Sequence, residues 1–314
     1  MRLALLSTLS ACAVFGFGQV SAQGPSRPDG TIVARTPYEL PGYADARGVR
    51  PYADEREYAE AAGDTRFVLE RVTYLSDGLP VVAYAYGPRE TGSRLPTVIF
   101  TRGSYVQPDI GHQLLPLFHR LAERGFAVVA PMLRGSAGAP GTDEMGGADL
   151  HDLLNTQSLA ASLAYVDTTN LFLFGESRGG MMTFLAIKAG YPARAAATFG
   201  AVTDLGALIE AAPERYAPLV RQLWPDYAQR RSEILASRSA IHWADALSVP
   251  LLLMHGGADR DVDPAQTLAL ATALQRLGRQ YELVIFAGDS HVLPNHRHER
   301  DAHAAAWFRA HLAR

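Results

Sequence analysis

The feature that most constrains this chain is a glycine-flanked serine that follows a short apolar run. Residues Leu171 to Phe174 are apolar, and the next six residues read Gly-Glu-Ser-Arg-Gly-Gly with Ser177 third. A helix is predicted directly afterwards, from Met181 to Ala189. This is the nucleophile elbow pattern, in which a serine occupies a sharp turn between a strand and a helix. Small residues are needed around it, because side chains there would collide with neighbouring backbone.

From residue 67 onward, apolar runs alternate with helical patterns. Two runs around Ser76-Asp77-Gly78 predict an antiparallel hairpin, Phe67 to Leu75 and Val81 to Tyr86. Six later runs predict buried parallel strands: Thr97 to Thr101, Ala127 to Pro131, Leu171 to Phe174, Ala195 to Phe199, Pro250 to Met254 and Tyr281 to Phe286. Helices are predicted at Leu114 to Arg124, Leu150 to Tyr165, Met181 to Ala189, Ala265 to Leu277 and Asp301 to Ala313. The alternation predicts a three-layer α/β sandwich with a mostly parallel, eight-stranded sheet.

A serine hydroxyl is a weak nucleophile, so the elbow requires a base and a supporting carboxylate elsewhere. In an open α/β sheet, catalytic groups gather at the carboxyl ends of strands. Asp259 follows the strand predicted at 250–254, and His291 follows the strand predicted at 281–286. The order Ser, Asp, His therefore predicts Ser177 as nucleophile, Asp259 as acid and His291 as base.

Other nearby acids and histidines have simpler interpretations. Asp261 and Asp263 are expected to serve the turn, and Asp263 precedes a proline as a helix N-cap does. His255 is expected to close its strand. Three histidines resemble a metal site only superficially, because a proline and arginines intervene: His296, His298 and His303. We therefore expect no metal and no cofactor.

The N-terminus resembles a secretory signal peptide. Arg2 precedes an apolar run from Leu3 to Val20, which ends in a small-x-small site before Gln23. Residues 1–22 are therefore predicted to be removed, and we expect a periplasmic or secreted protein without stable membrane insertion. The only cysteine, Cys12, lies in this segment, and a lipoprotein processing box that leaves a lipid anchor on Cys12 is the alternative.

Two segments complete the predicted organisation. Residues 23–66 lack strong periodicity and are predicted to be an N-terminal extension lying on a catalytic domain, 67–314. After the sixth predicted strand, residues 204–247 break the strand rhythm and predict helices. They either pack aromatic side chains on the domain or form a cap over the substrate pocket, with Trp224 and Tyr227 as tentative substrate-binding residues.

The charge balance restricts the partners of the protein. The net charge is -3, and Lys and Arg form no stripe. Nucleic acid is therefore not expected as a partner. The expected partner is a small-molecule ester or a short peptide, and the sequence does not indicate an oligomeric state.

Several stretches carry a family resemblance: residues 124–131, 134–138, 175–180, 249–262 and 278–286, together with Gln266. Through them, the region from Phe67 to Leu312 resembles the catalytic domain of the prolyl oligopeptidase family within the α/β-hydrolases. The resemblance implies the α/β-hydrolase fold. It also assigns the nucleophile, acid and base to Ser177, Asp259 and His291.

The second oxyanion donor is an open question. The amides of Ser177 and Arg178 are expected near the start of a helix, where N–H groups lack partners and can face an oxyanion. Where many relatives carry His-Gly-Gly-Pro, this chain has Arg102-Gly103-Ser104-Tyr105. The Ser104 amide is one candidate. The segment also resembles a Thr-Pro-Tyr stretch of the cocaine esterase and X-prolyl dipeptidyl peptidase families, whose tyrosine hydroxyl serves the oxyanion, which makes Tyr105 the other candidate.

Arg178 stands where relatives often carry an aromatic residue. A cation at a helix N-terminus opposes the macrodipole, so an acidic partner is expected. The candidates are Glu144, Asp149 and Asp152. Alternatively, Arg178 recognises an acidic group of the substrate. Glu176 is expected to be a local ion-pair partner rather than a catalytic acid.

These features predict a secreted serine hydrolase that works through an acyl-enzyme. The fold serves both ester and peptide substrates, and ester hydrolysis is the favoured expectation. A prolyl oligopeptidase-type peptidase or aminopeptidase is the alternative. A third interpretation is a non-catalytic binding protein that keeps the hydrolase fold.

Overall fold

The computed structural model describes residues 27–90 and 92–313. The predicted signal peptide, including Cys12, lies outside the described residues. Among the helices that are described, none combines the length and apolar character needed to cross a bilayer.

One sheet organises the described part of the chain. Its nine strands are β1 Ile32–Pro37, β2 Phe67–Ser76, β3 Leu79–Pro88, β4 Leu95–Thr101, β5 Ala127–Pro131, β6 Val166–Glu176, β7 Ala195–Phe199, β8 Leu251–Gly256 and β9 Tyr281–Phe286. Their order is β1-β2-β3-β5-β4-β6-β7-β8-β9. The pairs β1/β2, β2/β3 and β3/β5 are antiparallel, and the remaining pairs are parallel. All eight predicted strands are present, seven of them within two residues of the predicted bounds, whereas β6 begins five residues before its predicted start.

The ninth strand comes from the predicted N-terminal extension. β1 pairs with β2, where Ile32 lies opposite Tyr74. Five of its six residues are exposed. The strand therefore lacks the alternation of apolar and polar residues by which a half-buried strand is predicted. The extension therefore contributes an edge of the sheet, and the expectation of eight strands is corrected to nine.

Helices cover both faces of the sheet: α1 Glu55–Gly63, α2 Gly111–Ala122, α3 Leu150–Leu154, α4 Thr156–Ala161, α5 Arg178–Lys188, α6 Leu205–Ala211, α7 Pro213–Leu223, α8 Tyr227–Arg238, α9 Pro264–Arg276 and α10 Arg297–Ala310. The single helix predicted from Leu150 to Tyr165 is divided into α3 and α4 at Asn155. The segment 204–247 is helical, as predicted, and supplies α6, α7 and α8.

Two apolar cores lie on opposite faces of the sheet. One of them includes an aromatic cluster in which α10 meets the parallel strands. The fully buried ring of Phe308 stacks on Phe172 at 4.9 Å between centroids and lies 5.9 Å from Phe126 and 6.1 Å from Phe174. This contact fixes α10 against the sheet and with it the chain that leads from β9.

Phe308→Ala is expected to lower the free energy of unfolding by about 3 to 5 kcal/mol, because truncation removes buried area and leaves a cavity that the sheet cannot close. Urea denaturation followed by circular dichroism measures the loss. Leu268→Ala, at a side chain 46% exposed on α9, is the control and should change stability by about 0.5 kcal/mol or less. Equal losses in the two variants would contradict the assignment of Phe308 as a core anchor.

Candidate active site

The turn between β6 and α5 holds Ser177 in a strained conformation. Its φ is 53° and its ψ is -120°, outside the regions that L-residues prefer. The flanking glycines permit the turn. A Cβ on Gly179 would lie 1.9 Å from the carbonyl oxygen of Thr101, and one on Gly175 would lie 2.5 Å from the carbonyl oxygen of Gly179. The backbone is so close that only glycine fits at either position.

The structure brings the three predicted side chains into one hydrogen-bonded series. The Ser177 Oγ lies 2.8 Å from His291 Nε2, and His291 Nδ1 lies 2.7 Å from Asp259 Oδ2. Asp259 follows β8 and His291 follows β9, so both reach Ser177 from the carboxyl ends of their strands. With Nδ1 donating to the carboxylate, Nε2 is free to accept the serine proton.

Asp259 is a strongly supported hydrogen-bond acceptor. Its Oδ1 accepts the amides of Asp261 and Val262 at 2.8 and 3.0 Å, and its Oδ2 accepts from His255 as well as from His291. Burial opposes ionisation, but the hydrogen bonds from the two histidines outweigh it and hold the pKa of Asp259 below its usual value. The competing carboxylates do not bond to His291, since Asp261 pairs with Arg215 and Asp263 caps α9.

His255 does more than close its strand, which is all that the sequence indicated. It is fully buried, and its Nε2 lies 2.9 Å from Asp259 Oδ2 and 3.0 Å from the carbonyl oxygen of Val262. Both partners are acceptors, so Nε2 carries the proton. Nδ1 then accepts from the Thr267 hydroxyl at 2.7 Å. His255 and His291 therefore donate to the same oxygen of the Asp259 carboxylate.

The pKa of His291 is raised. Burial lowers this pKa, but the hydrogen bond and the charge of Asp259 raise it by more. The carboxylate of Glu176 raises it further. A raised pKa means that the imidazolium, which forms when the serine gives up its proton, is stabilised by the protein.

The amide of Ser177 is not an oxyanion donor, because it donates to the carbonyl oxygen of Phe199 at 2.9 Å. The amides of Arg178 and Ser104, by contrast, have no acceptor among the described residues. Gly103 borders the serine, and a Cβ on it would lie 3.1 Å from Ser177 Cβ. The two unpaired amides thus remain the candidates.

The Tyr105 hydroxyl, the other candidate for the second oxyanion donor, does not serve the oxyanion in this structure. The Tyr105 hydroxyl donates to the carbonyl oxygen of Asp143 at 2.8 Å, and is therefore already committed. Its loop is held from below by the buried guanidinium of Arg102, which donates to the carbonyl oxygens of Tyr105 and Met132 at 2.7 and 2.8 Å. Burial lowers the pKa of Arg102 to about 9.

Arg178 has acidic partners, as its position predicts. Its guanidinium grips Asp143 through two hydrogen bonds of 2.7 and 2.6 Å and reaches Asp149 at 2.8 Å. Of the candidates proposed from the sequence, only Asp149 is a partner, since Asp152 pairs with Arg134 and the Glu144 carboxylate accepts a backbone amide. Asp143 was missed, because a loop contact 35 residues distant leaves no periodic signal.

A cavity of about 480 Å³ opens above Ser177. The cap segment, residues 204–247, forms one wall through Leu208, Tyr216 and Leu219.

Trp224 and Tyr227, which the sequence suggested as substrate-binding residues, do not line this cavity. Trp224 is buried and stacks on Tyr227 at 6.1 Å, so these two rings belong to the packing of the cap. A larger groove of about 590 Å³, beside α1 and α2, contains none of the predicted catalytic residues.

Glu176 forms no ion pair within 4 Å in the described part of the chain, contrary to expectation. Its two carboxylate oxygens instead accept from the hydroxyl of Tyr52, at 2.9 and 3.0 Å. Burial raises the pKa of Glu176, and the tyrosine hydrogen bond opposes that rise. Tyr52 belongs to the N-terminal extension, which therefore reaches the floor of the site.

Within the described residues, one group has metal-ligating atoms close enough to hold an ion: Asp259, Asp261 and His291, within 4.8 Å of one another. These atoms already exchange hydrogen bonds with Ser177, with backbone amides and with Arg215. The sequence cluster of histidines is dispersed, since His296 pairs with Asp289 and His298 with Glu57.

Arg178→Ala is expected to cost about 3 to 5 kcal/mol of unfolding free energy, because it leaves two buried carboxylates without a counter-ion. Arg230→Ala is a matched control, since Arg230 also pairs with two carboxylates, Asp226 and Glu233, but at an exposed site. It should leave the free energy of unfolding nearly unchanged, because water screens exposed ion pairs. Chemical denaturation measures both variants, and similar losses would contradict a structural role for Arg178.

The sequence model of the prolyl oligopeptidase family matches residues 116–314. The chain is 26% identical to the uncharacterized peptidase YtmA of Bacillus subtilis over 233 residues, which are 74% of this chain and 89% of that protein. It is 30% identical to the uncharacterized peptidase YuxL of the same organism over 224 residues, 64% of this chain but 32% of YuxL. The chain spans 22 to 33% of the length of five further curated relatives.

Solved structures agree in fold. An acylaminoacyl peptidase of Pyrococcus horikoshii superposes with a TM-score of 0.67 at 20% identity, covering 83% of this chain and 44% of that one. A puromycin-hydrolysing peptidase of Mycobacterium tuberculosis gives 0.65 at 21% identity, covering 79% and 46%. The predicted fold class is therefore confirmed. Because the family match covers more than half of its residues, the chain belongs to the prolyl oligopeptidase family of serine peptidases and is an enzyme.

Proposed function

We propose that this protein is a serine peptidase that cleaves amide bonds of short peptides through an acyl-enzyme. The observation that carries the proposal is the series Ser177, His291 and Asp259, joined by hydrogen bonds of 2.8 and 2.7 Å at the floor of an open cavity. The sequence alone favoured ester hydrolysis. The relatives support the peptidase alternative better, since those with a named activity are peptidases and aminopeptidases.

In the proposed reaction, His291 Nε2 accepts the proton of Ser177 as its Oγ attacks the substrate carbonyl carbon. The resulting oxyanion accepts hydrogen bonds from the free backbone amides of Arg178 and Ser104. The C–N bond then breaks as His291 returns the proton to the departing amine. Water repeats the sequence on the acyl-enzyme and releases the carboxylic acid, restoring Ser177.

Each supporting group has one task in this scheme. Asp259 fixes the tautomer and orientation of His291 and stabilises the imidazolium, while His255 keeps Asp259 in place. The strained turn at Ser177 keeps its Oγ clear of the sheet.

Ser177→Ala is expected to lower kcat for short peptidyl anilides by about 10⁴-fold or more, since the nucleophile is lost. Chromogenic assays with a peptidyl anilide and a short acyl ester measure this and also compare amide with ester turnover. Ser232→Ala, on the exposed face of α8, is the control and should leave turnover unchanged.

Labelling by a fluorophosphonate probe distinguishes the remaining alternative. A folded wild-type protein whose Ser177 is not labelled would be a non-catalytic binding protein and would overturn the proposal. Labelling of Ser177 together with ester turnover but no amide turnover would return the assignment to an esterase.

The pH profile of kcat/KM is expected to fall on acidification with a midpoint above 6.5, the ordinary pKa of histidine, because the raised pKa of His291 keeps its base form scarce until higher pH. Asp259→Asn removes the group that raises this pKa, so the midpoint should move to lower pH while kcat falls by about 10⁴-fold. Steady-state kinetics from pH 5 to 9 test both effects. An unchanged midpoint in the variant would exclude this role for Asp259.

A further inference from the structure

The positive groups that face the cavity are already neutralised. Arg178 is held by the two buried carboxylates of Asp143 and Asp149, and Arg215 pairs with Asp261 at the rim. A substrate carboxylate that approached Arg178 would have to compete with acids that make hydrogen bonds of 2.6 to 2.8 Å. Arg178 is therefore not available to recognise an acidic substrate group, which was the alternative that the sequence left open.

The acidic side chain next to Ser177, Glu176, is not paired with a cation in this way. Glu176 lines the same cavity beside Ser177, and no basic side chain lies within 4 Å of its carboxylate in the described part of the chain. A single neutral donor, the Tyr52 hydroxyl, serves both of its oxygens. Each carboxylate oxygen has two lone pairs, so accepting capacity remains.

Glu176 also stands close to the reacting atoms. A Cβ on Gly103 would lie 2.8 Å from Glu176 Oε1 and 3.1 Å from Ser177 Cβ, so the carboxylate and the serine border the same point of the oxyanion loop. A substrate group that reaches this carboxylate therefore belongs to the part of the substrate next to the scissile carbonyl.

We propose that Glu176 binds a positively charged ammonium group next to the scissile carbonyl, and that the site thereby selects cationic over neutral or anionic acyl groups. A buried carboxylate without a counter-ion is costly, and an entering ammonium group supplies the missing charge in an environment that screens it weakly. The pair is charge-assisted and hydrogen-bonded, which makes it directional as well as attractive.

This inference deepens the proposed function, which it needs only to define which part of the ligand lies at Ser177. The test therefore measures binding and not turnover. The full chain carrying Ser177→Ala is titrated calorimetrically at pH 6.5 with alanine anilide, whose amine is then largely protonated. Lactic acid anilide, with a hydroxyl in place of the ammonium group, is the neutral counterpart, and malonic acid monoanilide is the anionic one.

Alanine anilide is expected to bind about tenfold more tightly than lactic acid anilide, a difference of about 1.4 kcal/mol, and the anionic ligand is expected to bind more weakly than either. In the double variant Ser177→Ala/Glu176→Gln, which keeps an acceptor for Tyr52, the preference should fall to about twofold or less. Glu214→Gln in the same background removes one exposed charge from α7 and should leave the preference unchanged.

Equal binding of the three ligands, a preference that survives Glu176→Gln, or tighter binding of the anionic ligand would each overturn the inference. Thermal melting confirms that the variants are folded. Failure of the proposed function looks different, because wild-type protein would then show no Ser177-dependent hydrolysis of alanine anilide whatever the binding data show.

Discussion

The approach of Gly179 to the carbonyl oxygen of Thr101 is the contact on which the site depends. At this point α5 meets the end of β4 so closely that no side chain fits between them. The contact forces the turn that strains Ser177, and it brings the loop after β4 beside the serine. Nucleophile and oxyanion loop are thus positioned by one steric constraint, and the long-range pairing of β4 with β6 maintains it.

The sequence predicts the parts of the fold that burial controls. Strands in the parallel part of the sheet are covered on both faces, so they appear as continuous apolar runs, and all six of them were predicted. β1 was missed because an exposed edge strand needs no apolar residues. The positions of Asp259 and His291 were predictable for a related reason, since a residue that directly follows a buried strand must lie at the carboxyl edge of the sheet.

Side-chain contacts made through loops could not be predicted in this way. Asp143 pairs with Arg178 across 35 residues and Tyr52 reaches Glu176 across 124, and neither pair follows a helical or strand repeat. The cap was recognised, but Trp224 and Tyr227 were its tentative substrate-binding residues where the structure has Tyr216, because sequence does not show which side chains of a helical segment turn toward a cavity. Tyr105 lies in a loop, and its hydroxyl donates to the carbonyl oxygen of Asp143, a contact that follows no sequence repeat either.

The hydrogen bond between Tyr52 and Glu176 has a consequence for how the protein is divided into parts. By sequence pattern, residues 23–66 are an extension lying on a catalytic domain that begins at residue 67. In the folded molecule, that boundary separates the Glu176 carboxylate from the Tyr52 hydroxyl that donates to it. It also separates the edge strand β1 from its partner β2. The extension is therefore part of the folded unit, and it supplies a side chain to the residue next to Ser177.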